Sequence, residues 1–298
     1  MTDGLRAAAR LAAAVLHLLH GIALITLRFP TLDAHGRSAR VRGWSAGLLR
    51  RFGLELDVTG APPRPGATLL VANHVSWLDI AAIHAVVPQA RFVSKAEVRR
   101  WPLLGRLVRG AGTLFIERDR KRDALRVVHR VAEALRAGER VAVFPEGTTG
   151  AGPQPLPFHA NLLQAAIATG TPVQPVVLRY SAPGAAFSPA VEFVGAVTLT
   201  QSVWRIARAR GLRVHVELLQ PQGTRHADRR ALALRLRQQI GERLQQQAGE
   251  AAPGGARPEA AEAAAEAPGG AAAAGAAEGP AAGAARQTAA PIAAGARR

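Results

Sequence analysis

A histidine and an aspartate five residues apart follow an apolar run near residue 70. His74 and Asp79 lie in the segment Asn73–Asp79, directly after residues 67–72. Because that run is short, apolar and closed by Asn73, it predicts a buried strand that ends in a turn. His74 is then expected at the carboxyl end of a strand, where ligands bind in open α/β sheets. A histidine paired with a carboxylate there can accept a proton from a hydroxyl group.

The spacing of the pair restricts its local structure. Residues five apart on one helix point about 140° away from each other, so the two side chains cannot meet if both are helical. We therefore expect His74 in the turn, Ser76 at the N-cap, and Asp79 in the first helical turn with its carboxylate folded back. The alternative is an ordinary capping box, Ser76-x-x-Asp79, in which His74 has no chemical role.

Three further segments accompany the H-x4-D motif. Residues 112–118 predict a strand that ends in a charged pair, and residues 140–144 predict another, which runs into Pro145-Glu146-Gly147-Thr148. Residues 171–178 predict a fourth strand. In this order the segments resemble the four sequence blocks of the glycerolipid acyltransferases, the family of the bacterial 1-acylglycerol-3-phosphate acyltransferases. The resemblance covers about residues 67 to 180, and four ordered blocks are far more specific than any one of them.

The resemblance implies a reaction. A fatty acyl group would move from acyl carrier protein or coenzyme A to the free hydroxyl of a lysolipid, with 1-acyl-sn-glycerol-3-phosphate as the first expectation for the acceptor. His74 would be the general base, and Asp79 would hold its tautomer and stabilise its charged form. Positioning and base catalysis can supply the rate without an acyl-enzyme, and no cofactor is expected beyond the acyl donor itself.

The resemblance also implies a set of substrate-binding residues. Arg118 would bind the acceptor's phosphate, which suits the planar donors of a guanidinium group. Lys95 resembles another position that faces the phosphate, and Glu146, Gly147 and Thr148 would shape the acceptor pocket. The alternatives are a solvated charge for Arg118 and a tight turn for Glu146 and Gly147.

The sequence departs from the common family pattern at two places. Thr148-Thr149-Gly150 stands where many relatives carry an arginine and a serine, and residues 157–161 stand where relatives often have a lysine and a glycine. These changes put the head group in doubt and favour another lysolipid, such as a lyso-ornithine lipid or another lysophospholipid. His159 either replaces the lost cation or is a surface histidine.

A second motif predicts different chemistry. Gly43-Trp44-Ser45-Ala46-Gly47 fits the G-x-S-x-G elbow of serine hydrolases, which would make Ser45 a nucleophile in a lipid hydrolase or thioesterase. That elbow requires a buried strand before the serine, whereas residues 37–42 are rich in charge and predict a surface helix. Packing of small residues between helices is the competing interpretation of the motif.

The charge predicts acidic partners. The chain carries a formal charge of +17, which attracts anionic lipid head groups, acyl carrier protein and nucleic acid. A basic membrane-associated binding protein therefore remains an alternative class. Nucleic acid is not expected as a partner, since a single tyrosine and no aromatic-interleaved basic stretch offer little for base stacking. Zero cysteines exclude disulfides, and the spacing of His74, Asp79 and His84 matches no zinc signature, so no metal is predicted.

The amino-terminal segment 11–27 is apolar and flanked by arginines. It is slightly short for a spanning helix, which needs about 20 apolar residues, and no convincing signal-peptide cleavage site follows it. We expect a helix that lies in or dips into the inner membrane at its cytoplasmic face. The alternative is a buried core helix.

The order of elements predicts an α/β fold with a mixed sheet flanked by helices. We expect an apolar and basic helical segment at 1–50, a single catalytic domain at 51–247 and a disordered Ala/Gly/Pro-rich tail at 248–298. Further expected elements are a helix at 119–136 with Leu125, Val128 and Leu135 facing inward, strands at 191–197 and 213–219, and a helix at 228–247.

Overall fold

The computed structural model describes residues 3–95, 98, 104–116 and 121–250. The strands within them are β1 Leu54–Gly60, β2 Thr68–Ala72, β3 Ala90–Lys95, β4 Leu114–Ile116, β5 Arg140–Val143, β6 Val173–Ser181 and β7 Leu212–Leu218. The α-helices are α1 Asp3–Ala23, α2 Ala34–Arg51, α3 Asp79–Val86, α4 Leu104–Gly110, α5 Lys121–Arg136, α6 Leu163–Thr169, α7 Leu199–Arg208 and α8 Arg229–Glu250.

The strands form one sheet in the order β1-β7-β6-β2-β5-β3-β4. Neighbouring strands are parallel except β6 and β7, which are antiparallel, so the prediction of a mixed sheet is confirmed. Strand β2 lies in the middle, and all five of its residues are buried. Burial on both faces explains why this strand is a continuous apolar run rather than an alternating one.

The two faces of the sheet carry separate apolar cores. One core includes Leu70 of β2 with side chains of α2, α3 and α7, such as Leu49 and Ile206. The other includes Leu69 of β2 with side chains of α5, α6 and α8. Successive residues of a strand point to opposite faces, so adjacent leucines of β2 serve different cores.

The helix α1 packs against α2 by a narrow line of small residues and one histidine. Ala7, Ala14, His17 and Gly21 are buried. His17 Nε2 donates to the Trp44 carbonyl oxygen at 2.8 Å, and Trp44 Nε1 donates to the His17 carbonyl oxygen at 3.0 Å. This reciprocal pair, with the two rings stacked, fixes the position of α1 along α2.

The opposite side of the same helix is apolar and exposed. Residues Asp3–Thr31 form a helical segment long and apolar enough to cross a membrane, and only 17% of its most apolar window is buried. The large exposed side chains on this outer stripe are Leu5, Val15, Leu16, Leu19 and Leu27. The predicted apolar helix is therefore present, and most of it is not in the protein core.

Two predictions about elements are wrong. Residues 191–197 form no strand, because Phe193 makes its backbone bond to the carbonyl oxygen of Val75 in the loop after β2 rather than to a neighbouring strand. Leu125 does not face inward but is 66% exposed. The buried side of α5 instead follows Val127, Val131 and Leu135, which lie four residues apart on one helical face.

Other predicted elements are confirmed. Strand β7 and helices α5 and α8 agree with the predicted segments 213–219, 119–136 and 228–247 to within three residues at each described end. The predicted disordered tail after residue 250 lies outside the described residues.

Candidate active site

The His74 loop begins where β2 ends. Asn73 follows the strand and is buried. Its side chain joins β2 to β6 by two hydrogen bonds to the backbone of Leu178. Its side-chain amide donates to the carbonyl oxygen of Leu178 at 2.8 Å and accepts from the backbone N–H of Leu178 at 2.8 Å. The loop therefore leaves the sheet at a fixed point beside β6.

Asp79 is fully buried and directs its carboxylate back into this loop. Its Oδ2 accepts from His74 Nδ1 at 2.7 Å, from the Val75 backbone N–H at 2.7 Å and from the Ser76 backbone N–H at 3.0 Å. The predicted meeting of the two side chains is thus present. Ser76 is not the N-cap, since α3 begins at Asp79 with Leu78 at the N-cap. The carboxylate itself satisfies the backbone donors of the turn.

The pairing fixes the tautomer of His74. A carboxylate can only accept, so His74 Nδ1 carries a hydrogen and Nε2 has a free lone pair when the imidazole is neutral. The ring stacks on Phe144 with centroids 4.0 Å apart, and the His74 side chain remains 19% exposed. The arrangement can take a proton from a hydroxyl group placed at Nε2.

Tyr180 completes the environment of the carboxylate. Its hydroxyl donates to Asp79 Oδ1 at 2.7 Å from the carboxyl end of β6, and the side chain is buried. Burial, with the nearby Asp79 charge, raises the pKa of Tyr180 well above its ordinary value. The phenol is therefore a neutral, permanent donor.

A second buried carboxylate supports the loop from the other side. Glu146 Oε1 accepts from the His74 backbone N–H at 2.7 Å, and Oε2 accepts from the Leu156 backbone N–H at 2.9 Å. Burial raises the pKa of Glu146, and these two hydrogen bonds oppose the rise. In this geometry the Glu146 carboxylate holds backbone segments together.

A tight turn carries Glu146. The backbone N–H of Gly147 donates to the Phe144 carbonyl oxygen at 3.1 Å, and Gly147 has a φ of +72°, which favours glycine. The N–H of Gly150 then donates to the His74 carbonyl oxygen at 2.7 Å. Gly147 and Thr148 are exposed beside the His74 loop.

Comparison with known proteins identifies relatives of the chain. A family model described as Acyltransferase matches residues 55–179. A lyso-ornithine lipid O-acyltransferase of Pseudomonas aeruginosa is 39% identical over 227 residues, which are 76% of this chain and 85% of the relative. The chain belongs to the glycerolipid acyltransferase family.

Further relatives differ in the acceptor that their names give. A 1-acyl-sn-glycerol-3-phosphate acyltransferase of Neisseria meningitidis is 39% identical over 176 residues, which are 58% of this chain and 68% of the relative. The crystal structure of the acyltransferase PlsC from Thermotoga maritima has the same fold, with a TM-score of 0.63 at 18% identity over 82% of this chain and 95% of that one. The protein is a lysolipid acyltransferase.

Two of the predicted substrate-binding residues of this acyltransferase are not placed. Arg118 lies outside the described residues. Lys95 ends β3, and only its backbone is described. The structure brings the remaining predicted residues together, since Glu146 contacts the His74 loop directly and Gly147 and Thr148 follow it in the chain.

The structure contradicts the alternative nucleophile. Ser45 lies inside α2, is 1% exposed and follows a helical segment rather than a strand. The G-x-S-x-G sequence is thus a helix-packing motif, in which Gly47 lies against the His17 ring.

Sequence reasoning missed Asn73 and Tyr180 as supports of the His74–Asp79 pair. For Tyr180 a signal was available, because it is the only tyrosine in the chain and lies two residues after the strand predicted at 171–178. Its partner Asp79 is 101 residues away, and that contact depends on the strand order.

Proposed function

We propose that this enzyme transfers a fatty acyl group from an acyl carrier protein or coenzyme A thioester to a lysolipid hydroxyl, with His74 as general base. The observation that carries the proposal is the His74–Asp79 pair, in which Asp79 holds Nδ1 and leaves Nε2 as the acceptor. The dyad lies at the carboxyl end of the central strand, where ligands bind in α/β sheets.

The chemistry follows from the pair. Nε2 of His74 takes the hydroxyl proton while the oxygen attacks the thioester carbonyl carbon. The C–O bond forms, the C–S bond breaks, and the proton on Nε2 passes to the departing thiolate. Asp79 stabilises the imidazolium in between, because its buried carboxylate accepts the hydrogen bond from Nδ1.

For the acceptor, the sequence favours a lyso-ornithine lipid over 1-acyl-sn-glycerol-3-phosphate. In a chain with 38 lysines and arginines, none occurs between Arg140 and Arg179, although this stretch contains the exposed turn beside His74. A phosphate monoester is best bound by cations. An ornithine head group carries an ammonium and a carboxylate instead of a phosphate, and the name of the Pseudomonas aeruginosa relative supports this choice.

The outer stripe of α1 supports attachment to the cytoplasmic face of the inner membrane. Five large apolar side chains on one helical surface match a lipid environment, and the charge of +17 favours anionic head groups. A lysolipid acceptor would reach the site from this membrane.

The experiment uses purified full-length protein in detergent with radiolabelled acyl carrier protein or coenzyme A thioesters and both lysolipids. We expect labelled diacyl product from the wild type and none from His74→Ala. Free fatty acid as the product of the wild type would indicate a hydrolase and contradict the proposal, and diacyl product that persists in His74→Ala would contradict the role of His74.

A separate variant tests the choice between the two acceptors. We expect the wild type to prefer lyso-ornithine lipid by about ten-fold or more in kcat/KM, and Thr148→Arg to raise kcat/KM for 1-acyl-sn-glycerol-3-phosphate by a similar factor, the size of one charge-assisted contact. Thr148→Gln is the matched control, since it adds length without charge. Preference for the phosphate acceptor in the wild type would reverse the assignment.

A further inference from the structure

Three polar side chains on neighbouring strands form a hydrogen-bonded chain outside the His74 site. His215 of β7 lies between Asp57 of β1 and Ser181 of β6. Its Nδ1 is 3.0 Å from Asp57 Oδ2, and its Nε2 is 2.9 Å from Ser181 Oγ. Because Asp57 accepts at Nδ1, the lone pair of neutral His215 is on Nε2, and the Ser181 hydroxyl donates to it. This is the polarity of a serine, base and acid triad.

The sheet explains how the three residues meet. Asp57 and His215 are direct partners in the parallel β1–β7 ladder, and Ser181 pairs with Arg213, two residues before His215, in the antiparallel β6–β7 ladder. His215 points away from the core that holds Tyr180, since its chain neighbours Val214 and Val216 are in that core. Asp57 and Ser181 contact the His215 ring and so lie on the same face. The triad therefore lies on the opposite face of the sheet from the His74–Asp79 pair.

The group is reachable from solvent and has a cation beside it. The side chains of His215 and Asp57 are 16% and 34% exposed. The cation is Arg213, the register partner of Ser181, whose Nε and Nη2 donate to Glu55. Burial, with the charge of Arg179, lowers the pKa of His215, which keeps the ring neutral and able to accept a proton.

We infer that Ser181, His215 and Asp57 form a second, serine-based site that hydrolyses carboxylic esters. Ser181 Oγ attacks the ester carbonyl as its proton moves to His215 Nε2. The bond to the leaving alcohol breaks, and the alcohol takes that proton. Water then attacks the acyl-serine with the same base, which releases the carboxylic acid and restores Ser181.

The first test needs no variant. The full-length protein is treated with a fluorophosphonate, which reacts with activated serines, and the tryptic peptide 180–205 is analysed by tandem mass spectrometry. We expect the label on Ser181 rather than on Ser188 or Ser202 of the same peptide. A protein that remains unlabelled at Ser181 would overturn the inference and identify the three residues as a cross-strand hydrogen-bond chain.

The second test separates this site from acyl transfer. Hydrolysis of p-nitrophenyl butyrate is measured in a His74→Ala background, so that the proposed acyltransferase chemistry does not contribute. We expect turnover that falls by about ten-fold or more on adding Ser181→Ala or Asp57→Asn. Ser38→Ala, on the exposed side of α2, is the matched control.

Two results would contradict the second site. One is hydrolysis that is equal with and without Ser181→Ala. The other is hydrolysis that disappears with His74→Ala alone, because the proposed His74–Asp79 dyad would then be its source. Neither result bears on whether the wild type transfers acyl groups to lysolipids, so failure of this inference and failure of the proposed function are distinguishable.

Discussion

Four hydrogen bonds converge on the Asp79 carboxylate. They come from the His74 ring, the backbone N–H groups of Val75 and Ser76, and the Tyr180 hydroxyl. A buried carboxylate needs such partners to stay ionised. Here they also fix its orientation, so His74 is held in one tautomer before any substrate arrives. In the proposed mechanism the dyad is thus a preorganised base rather than a chance contact of two side chains.

The hydrogen bond from the Tyr180 hydroxyl to Asp79 can be removed by a single substitution. We expect Tyr180→Phe to lower kcat by about ten-fold with little change in KM, since a hydrogen bond to a charged group contributes about 1.5–3 kcal/mol. Without that donor, the Asp79 carboxylate loses one of the hydrogen bonds that fix its orientation, so it holds His74 Nδ1 less firmly. The measurement is initial rates of diacyl product formation over a range of lysolipid concentrations, which separates kcat from KM.

A merely structural role for Tyr180 would have a different signature. It would lower the folded fraction, and with it the apparent kcat, without changing the rate per folded molecule, so circular dichroism and thermal unfolding of the variant accompany the kinetics. An unchanged kcat in a folded Tyr180→Phe protein would show that the hydroxyl does not position the base.

For Ser45 we predict that substitution leaves activity almost unchanged. We expect Ser45→Ala to keep acyl transfer within about two-fold of wild type, because Ser45 is a buried helix residue and substitutions without cavity or charge effects are small. The measurement is the same diacyl-product assay. A folded but inactive Ser45→Ala protein would contradict direct transfer by the His74 dyad.

At the scale of elements, buried strands were the easiest to predict. Residues 67–72 and 171–178 are mostly apolar because β2 and β6 are covered on both faces. Strand β1 was not predicted, since its burial decreases along its length to three exposed residues at the sheet edge. The strand expected at 191–197 is wrong, because a local apolar pattern does not show that the Phe193 backbone N–H donates to the carbonyl oxygen of Val75 in the His74 loop.

The outer stripe of α1 gives a prediction for this element. We expect Leu16→Lys with Leu19→Lys to weaken binding to phosphatidylglycerol vesicles by at least about ten-fold, since burying one leucine contributes about 1.5–3 kcal/mol. The measurement is co-sedimentation at constant ionic strength. Both leucines are exposed, so activity on detergent-solubilised substrate should not change.

The control for this prediction is another exposed leucine. Leu125→Lys on α5 introduces one such substitution at a side chain that is 66% exposed on a different helix. Equal loss of vesicle binding in both proteins would show that the loss is not specific to the outer stripe. Full binding by the double variant would exclude the stripe as the membrane contact.

Across the whole fold, the sequence predicts the His74–Asp79 pair better than it predicts the residues that support the pair, Asn73 and Tyr180. His74 and Asp79 are five residues apart, so a local turn suffices to join them, and motif reasoning could find it. Asn73 and Tyr180 reach partners more than 100 residues away across the β2–β6 pairing. Such contacts depend on strand order and register, which no local pattern contains.

The stability of the folded protein is expected to depend on pH through a buried histidine, His84. His84 is buried at 5% exposure, donates from Nε2 to the Ala90 carbonyl oxygen at 2.9 Å, and lies edge-on against Phe92. Burial lowers the pKa of His84 to about 4. An unfolded histidine titrates near 6.5, so between about pH 6.5 and pH 4 the unfolded chain binds a proton that the folded protein excludes. Stability is therefore complete above pH 6.5 and is lost as the pH falls towards 4.

The size of this effect can be measured. One pKa unit corresponds to about 1.4 kcal/mol, so we expect His84 to cost about 3 kcal/mol of unfolding free energy near pH 4. Burial also lowers the pKa of His17 and of His215, which adds to the loss of stability in the same direction.

Urea unfolding in detergent at pH 7.5, 6 and 5 gives the slope of the unfolding free energy against pH. His84→Gln should flatten it, whereas His129→Gln, which removes an exposed imidazole from α5, should leave it unchanged. Equal slopes in the wild type and His84→Gln would show that other groups dominate acid destabilisation.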